Sequence, residues 1–127
     1  MIQILDSSVI ISLFRQDEPL HEIAKDTFQS GNKFWVLDHV IAEVLTVLKI
    51  KEPPHVYQQC EQFLTQNEDI IIIYTDPPLF QQVQYFFVSN HNKLSFVDAL
   101  LLLKSKTENI PLLTFDKELQ KLTQTSL

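Results

Sequence analysis

The sequence predicts an α/β protein in which a sheet of parallel strands carries helices on both faces. Short apolar, β-branched runs such as Ile70–Ile73 alternate along the chain with longer segments of helical periodicity. The runs are continuously apolar rather than alternating, as in strands that are covered on both faces. With 127 residues, 45% of them hydrophobic, the chain is predicted to be a single domain over residues 1–127.

The first part of the chain predicts two strands separated by two short helices. Ile2–Leu5 is the first strand, and helical spacing then continues to Phe14. Residues 21–29 form the second predicted helix, and Gly31, the only glycine, is expected to be its C-cap. Residues 34–37 are the second predicted strand, with Asp38 placed to cap the helix that follows.

Two further strands and five helices complete the prediction. Ile70–Ile73 is the run most typical of a strand buried on both faces, because it contains four β-branched residues in succession. The last strand is predicted at residues 112–114. The predicted helices cover residues 39–50, 56–66, 79–89, 96–106 and 117–122.

Composition excludes several kinds of site and partner. A formal net charge of −6 argues against binding nucleic acid through a uniformly basic surface. The lone Cys60 cannot form an internal disulfide or a cysteine zinc site, so the cytoplasm is the expected compartment. One glycine cannot build a phosphate-cradling loop. No apolar run approaches the roughly 18 residues of a membrane span, so no membrane partner is expected.

Three aspartates lie where strands end or helices begin. Asp6 follows the first strand, Asp98 lies in the first turn of a predicted helix after Ser95, and Asp116 precedes the last helix. Taken alone, each is explained first as a helix cap or first-turn acid. However, the carboxyl ends of parallel strands share one edge, where such sheets bind ligands. Helix capping and a shared ligand site therefore both remain open for these aspartates.

Glu43 is harder to explain as a surface residue. Its neighbours in the predicted helix are apolar nearly all round, which predicts burial. A buried carboxylate is costly unless it is paired or bound to a metal. Arg15 is the only arginine, and one guanidinium cannot neutralise four acids. Oxygen ligands without histidine or cysteine favour Mg²⁺ or Mn²⁺, so Asp6, Glu43, Asp98 and Asp116 form a candidate metal site.

Four ordered blocks of this sequence resemble the signature blocks of PIN-domain nucleases. The blocks are Ile-Gln-Ile-Leu-Asp-Ser-Ser at residues 2–8, Ile-Ala-Glu-Val-Leu at 41–45, Leu-Ser-Phe-Val-Asp-Ala-Leu at 94–100, and Thr-Phe-Asp at 114–116. Each block alone is weak, whereas their order and spacing over almost the whole chain are fairly specific. The resemblance implies a three-layer α/β/α sandwich with a parallel sheet of four to five strands. For a fifth strand, residues 123–127 offer no convincing apolar run.

The resemblance also implies an activity and a set of site residues. PIN-domain nucleases cleave RNA with a divalent metal, often as the VapC-type toxin of a toxin–antitoxin pair. By position, Asp6, Glu43 and Asp98 would be the core metal ligands and Asp116 the fourth acid. Thr114 would support the site, as would Ser8, which stands where many relatives have asparagine. A homodimer is also implied, and apolar residues between positions 9 and 28 are its expected face.

The hypothesis from sequence is a Mg²⁺- or Mn²⁺-dependent endoribonuclease in which metal-activated water attacks a phosphodiester. Its partners would be an RNA substrate and a cognate antitoxin protein. One alternative is a non-catalytic PIN-like module that binds protein or RNA. Another is a phosphoacceptor receiver domain with Asp76 as acceptor, although paired acids after the first strand are absent. Candidate contacts to the RNA backbone are Lys93, Lys104, Lys106, Lys117 and Lys121.

Overall fold

A computed structural model of the chain describes residues 1–123. Its elements are β1 (Ile2–Leu5), α1 (Ser7–Phe14), α2 (His21–Phe28), β2 (Lys33–Leu37), α3 (Asp38–Lys51), α4 (Pro54–Gln66), β3 (Ile70–Ile73), α5 (Pro77–Ser89), α6 (Phe96–Glu108), β4 (Leu112–Leu113) and α7 (Lys117–Thr123). The described strands form one four-stranded sheet in the order β3-β2-β1-β4. Every neighbouring pair of strands is parallel, which confirms the predicted α/β class. Residues 124–127, most of the segment considered for a fifth strand, lie outside the described residues.

The sheet is the middle layer of an α/β/α sandwich. In β1, one of its two inner strands, Ile4 and Leu5 are fully buried. Helix α1 contacts α2 and α3, and α3 contacts α4, whereas helices α5, α6 and α7 form a second contacting series. The leucines at positions 100–102 are fully buried in α6, as expected for core residues. No helix within residues 1–123 is long and apolar enough to cross a membrane.

The prediction that Ile70–Ile73 is buried on both faces is wrong. Ile70 is buried, but Ile71 is 44% exposed and the other two isoleucines are only partly buried. The reason is its position in the sheet, because β3 lies at an edge and pairs only with β2. A run of isoleucines fits an edge strand as well as a central one, so local sequence does not separate the two.

Gly31 is not the C-cap that the sequence predicts. Helix α2 ends at Phe28, and Gln29 is its C-cap, with φ −98° and ψ 4°. Gly31 has φ 83° in the turn that leads into β2. That backbone conformation favours glycine, although a Cβ at this position would meet no atom within 4 Å. The glycine therefore serves the turn and not the helix end.

Asp38 begins α3 and also ties two strand ends together. Its carboxylate accepts a hydrogen bond from the backbone N–H of His39 at 2.9 Å. It also accepts one from the N–H of Thr75, at 3.1 Å, and one from the Thr75 hydroxyl, at 2.7 Å. Asp76, the next residue, accepts from the N–H of Leu79 and caps α5. Asp38 is not the predicted cap of α3, because it is the first helical residue and the N-cap is Leu37, which has no side-chain cap hydrogen bond. The Asp38 carboxylate thus joins the carboxyl ends of β2 and β3, and only Asp76 of this pair caps a helix.

We expect Asp38→Asn to destabilise the protein at neutral pH but not at strongly acidic pH. Partial burial raises the pKa of Asp38, but hydrogen bonds from Thr75 and His39 outweigh it and hold the pKa below its ordinary value. A carboxyl with a lowered folded-state pKa stabilises the fold above its unfolded pKa of about 3.9. That stability is lost as the pH falls through the folded pKa. The melting temperatures of the parent and the variant should therefore approach each other as the pH is lowered from 7 to 3.

The exposed Asp26 provides the matched control for this series. Asp26→Asn should follow the parent at every pH, since Asp26 lies on the surface of α2. A difference between Asp38→Asn and the parent that stays constant down to pH 3 would contradict the assigned role of the Asp38 charge.

Cys60 should be unreactive in the native protein. The side chain is fully buried in α4, and burial, reinforced by the charge of Glu61, raises the pKa of the thiol to about 12. At pH 8, roughly one thiol in ten thousand would then be ionised. Labelling with a disulfide reagent should proceed only as denaturant unfolds the chain, in parallel with loss of helical circular dichroism. Rapid stoichiometric labelling without denaturant would show that α4 opens locally.

Candidate active site

Asp6 is the most buried acid of the candidate site. It follows β1, its residue is 4% exposed, and it is the N-cap of α1. One carboxylate oxygen, Oδ1, accepts a hydrogen bond from the backbone N–H of Ser7 at 2.7 Å. The helix-cap explanation is therefore correct for Asp6, but capping uses only one of its two oxygens.

The second oxygen of Asp6 joins the ends of two neighbouring strands. Oδ2 accepts hydrogen bonds from the hydroxyls of Ser8, at 2.9 Å, and Thr114, at 2.6 Å. Each of these hydroxyls also accepts a hydrogen bond from the backbone after β4. Ser8 accepts from the N–H of Phe115 and Thr114 accepts from the N–H of Asp116, both at 3.0 Å. Asp6 thus connects the β1–α1 junction to the segment that follows β4.

Glu43 reaches the same edge through a residue that the sequence did not single out. The hydroxyl of Ser7 donates a short hydrogen bond to Oε1 of Glu43 and lies 3.4 Å from Oδ1 of Asp6. Ser7 is buried, whereas Glu43 is only partly buried, so the predicted burial of Glu43 is too strong. Within α3, Val44 and Leu48 take the core positions. No local pattern identifies Ser7, because its partner lies 36 residues away.

Asp98 combines a capping role with proximity to other acids. Ser95 and Asp98 form the predicted capping box of α6, with reciprocal hydrogen bonds of 3.1 and 3.3 Å. Partial burial raises the pKa of Asp98, the charges of Asp6 and Asp116 raise it further, and together they outweigh the bonds from Ser95. Asp98 therefore lies close enough to Asp6 and Asp116 to be repelled by both.

Asp116 lies at the exposed rim of this group. Its Oδ1 accepts from the N–H of Leu119 at 2.9 Å, so it caps the beginning of α7. Its own N–H donates a hydrogen bond to the Thr114 hydroxyl, which in turn donates to Asp6. The four candidate acids and both candidate supporting residues thus belong to one edge of the sheet, linked by hydrogen bonds or by charge.

The only arginine does not neutralise this edge. Arg15 pairs with Asp17, Glu18 and Glu52 at 3.0 to 3.6 Å, and these charges raise its pKa although burial opposes them. Two of the candidate phosphate contacts are also engaged: Lys104 pairs with Glu108, and Lys106 donates to the carbonyl of Thr123. Lys93, Lys117 and Lys121 are exposed.

The donor chemistry of the edge fits a hard divalent cation, because it offers carboxylate and hydroxyl oxygens. As the side chains stand, no three acidic, histidine or cysteine groups within residues 1–123 are close enough to hold a metal ion together. Asp6 is held by Ser8 and Thr114, and Asp98 is held by its own capping box. The acids are therefore grouped, but they are not arranged as a closed coordination sphere.

Several solved structures share this fold over nearly the whole chain. VapC20 of Mycobacterium tuberculosis, described as a toxin that cleaves the sarcin–ricin loop, matches with a TM-score of 0.87 at 17% identity, over 98% of each chain. VapBC2 of Rickettsia felis, solved on a promoter DNA fragment, matches with a TM-score of 0.69 at 14% identity, over 96% of this chain and 93% of that one. FitAcB of Neisseria gonorrhoeae matches with a TM-score of 0.69 at 16% identity, over 99% and 95%.

At such identities the shared property is the fold. No curated protein sequence matches the chain significantly. The sequence profile of the PIN domain, however, matches residues 4–124 and so spans all four candidate acids. The receiver-domain alternative is therefore wrong, and Asp76, its proposed acceptor, is the N-cap of α5. The chain belongs to the PIN-domain family.

Proposed function

We propose that this chain is a divalent-metal-dependent endoribonuclease and the toxin of a toxin–antitoxin pair. PIN-domain proteins are nucleases. The observation that carries the proposal is the hydrogen-bonded group around Asp6, which links Ser7, Ser8 and Thr114 to the edge where Glu43, Asp98 and Asp116 also lie. None of the ion pairs found within residues 1–123 involves these four acids, which supports a metal ion as their counter-charge.

Asp6, Glu43 and Asp98 would hold Mg²⁺ or Mn²⁺, with Asp116 as the fourth acid. When bound, the ion would offset the charge of the scissile phosphate and make water acidic enough to attack it. Asp6 has acceptor capacity left for this role. Oδ2 already takes two hydroxyl hydrogen bonds, whereas Oδ1 takes one from the Ser7 N–H and lies 3.4 Å from the Ser7 hydroxyl. Oδ1 is therefore the Asp6 oxygen that would have room for a further partner such as the ion.

The neighbouring hydroxyls would position the acids. Ser8 and Thr114 hold Asp6 from two sides, and Ser7 holds Glu43. Such hydrogen bonds fix the direction of a ligand oxygen. Their removal typically lowers metal affinity or activity 10- to 100-fold. Since these hydroxyls are already paired, the orientation of Asp6 is set by the fold before any ligand arrives.

Partners of the toxin are proposed from the structural matches. VapBC2 and FitAcB share this fold, and VapC20 is described as a toxin that cleaves the sarcin–ricin loop. We extend to this chain an RNA substrate, a cognate antitoxin protein, a cytoplasmic location and a single PIN domain over residues 1–127.

A homodimer also belongs to the proposal, but the face expected from sequence suits it poorly. Val9 and Ile10 are fully buried within the core of the chain itself. Ile23, at 53% exposure, is the one exposed large hydrophobic residue between positions 9 and 28. If two copies associate, another surface must therefore supply most of the apolar contact.

Glu43→Gln should reduce RNA cleavage in Mn²⁺ at least about a hundredfold, because glutamine keeps the shape but removes a charged ligand. Far-UV circular dichroism should be unchanged, since Gln can still accept the hydrogen bond from Ser7. Cleavage of a labelled RNA, followed over time on a gel, measures the effect.

Glu61→Gln is the control for this substitution, because Glu61 is an exposed helical glutamate on α4. It should cleave at the parent rate. If Glu43→Gln also cleaves at the parent rate, Glu43 is structural. If the parent cleaves no RNA in Mg²⁺ or Mn²⁺, the nuclease proposal is wrong and the alternative of a non-catalytic PIN-like module is favoured.

Asp98→Asn should separate metal binding from folding. Asparagine keeps an oxygen that can accept from Ser95, so the capping box survives while the charge disappears. Without metal, the variant should melt no lower than the parent, since repulsion from Asp6 and Asp116 is relieved. In the parent, Mn²⁺ at a hundredfold excess over Kd should raise Tm by roughly 10 °C. The variant should lose most of that gain.

Asp26→Asn, on the surface of α2, is the control and should retain the full metal effect. Scanning calorimetry with chelator and with millimolar Mn²⁺ provides both measurements. An equal Mn²⁺ shift in the parent and in Asp98→Asn would remove Asp98 from the ligand set.

A further inference from the structure

Four rings form a continuous row beside the acidic edge. His39, Phe80, Phe96 and Phe87 contact one another in that order, with ring centroids 5.9, 5.2 and 5.6 Å apart. We call these four side chains the aromatic row. It connects the beginning of α3, the helix α5 and the beginning of α6. Three separate segments of the chain therefore contribute to one ring surface.

Much of the aromatic row is open to solvent. Phe80 is 36% exposed and Phe87 is 43% exposed, and the side chain of His39 is 36% exposed. Phe86, the neighbour of Phe87, packs against the hydrophobic core instead. Helix α5 therefore has aromatic side chains on two sides, and only one side is needed for the core of the domain.

The aromatic row adjoins the proposed site along two helices. On α3, His39 precedes Glu43 by four residues, so the two side chains lie on the same face one turn apart. On α6, Phe96 is the first helical residue and Asp98 lies in the same first turn, although side chains two residues apart point to different sides of a helix. A ligand that reaches the acids thus has the aromatic row immediately beside it.

We propose that the aromatic row is a stacking surface for unpaired bases of a single-stranded RNA whose backbone passes the acidic edge. This inference rests on the nuclease function proposed above and adds the way in which the substrate is held. Exposed rings suit bases because every base has a π-face, and such stacking needs no particular sequence. A base pair inside a duplex offers no free face, so the aromatic row would select single strands, loops and bulges.

Charge next to the row is consistent with this ligand. Lys93 lies three residues before Phe96, in the loop that connects α5 to α6, and it is exposed. It forms no ion pair with any residue of the described part of the chain. A phosphate between two stacked bases would give this lysine a counter-charge. A purely apolar partner would leave Lys93 without one.

The test is binding of a fluorescein-labelled single-stranded oligoadenylate of about ten nucleotides, followed by fluorescence anisotropy. Ca²⁺ replaces Mg²⁺ in the buffer, since oxygen ligands also hold it. Phe80→Leu and Phe87→Leu keep apolar volume but remove the ring. Each should weaken binding about tenfold, and the double variant should weaken it further.

Controls separate stacking from general damage. Phe87→Tyr retains the ring and should bind as the parent does. Tyr85→Leu removes a ring from the same helix, but Tyr85 is 77% exposed and lies outside the aromatic row, so it should leave binding unchanged. A duplex of the same length should bind less tightly than the single strand and should not respond to either phenylalanine substitution. Circular dichroism checks that each variant is folded.

Three results would overturn the inference. One is absence of single-strand binding by the parent, and another is parent affinity in both leucine variants. The third is sedimentation in which the leucine variants dissociate a dimer while RNA affinity stays constant, since the row would then be a contact between copies of this chain. The nuclease proposal fails separately, through absence of cleavage. If the protein binds RNA through these rings but does not cleave it, the stacking proposal is supported and the nuclease proposal is not.

Discussion

The carboxylate of Asp6 is the interaction on which the arrangement of the site depends. A nearly buried carboxylate must be hydrogen-bonded, and Asp6 meets that requirement with groups from two distant parts of the chain. Ser7 and Ser8 follow β1, whereas Thr114 follows β4, 108 residues from Asp6. Satisfying this one charge therefore fixes how the first and last strands present their carboxyl ends.

Capping gives the acids a second structural role. Asp6, Asp98 and Asp116 each accept a backbone N–H at the beginning of a helix, and their negative charge favours the positive end of the helix dipole. The sequence left capping and site formation as alternatives, and in the structure each of these carboxylates caps a helix while lying at the edge of the candidate site. Helix N-termini bring the acids together and also reduce the cost of holding like charges at one edge.

The local sequence pattern was sufficient to predict the helices and strands, but not which of them pack against one another. Periodicity located all four strands and seven helices of the described chain, and the acids were found because each departs from an apolar context. Sheet order was not encoded locally, so Ile71 was expected to be buried and is exposed. The Ser7–Glu43 contact was missed for the same reason, since it depends on how α1 packs against α3. Pairing across distance is set by the whole fold.

The edge position of β3 bears on colloidal behaviour. Ile70–Ile73 and the following Tyr74 form an uncharged, strongly β-prone stretch, and within the described chain β3 has a strand neighbour on one side only. Such a stretch can recruit a strand from another molecule. Glu68 and Asp69 precede it and Asp76 follows it, so like charges of adjoining molecules repel one another at both ends. Asp69 is paired with Lys33 at 2.7 Å, so the repulsion comes mainly from Glu68 and Asp76, and acidification would weaken it.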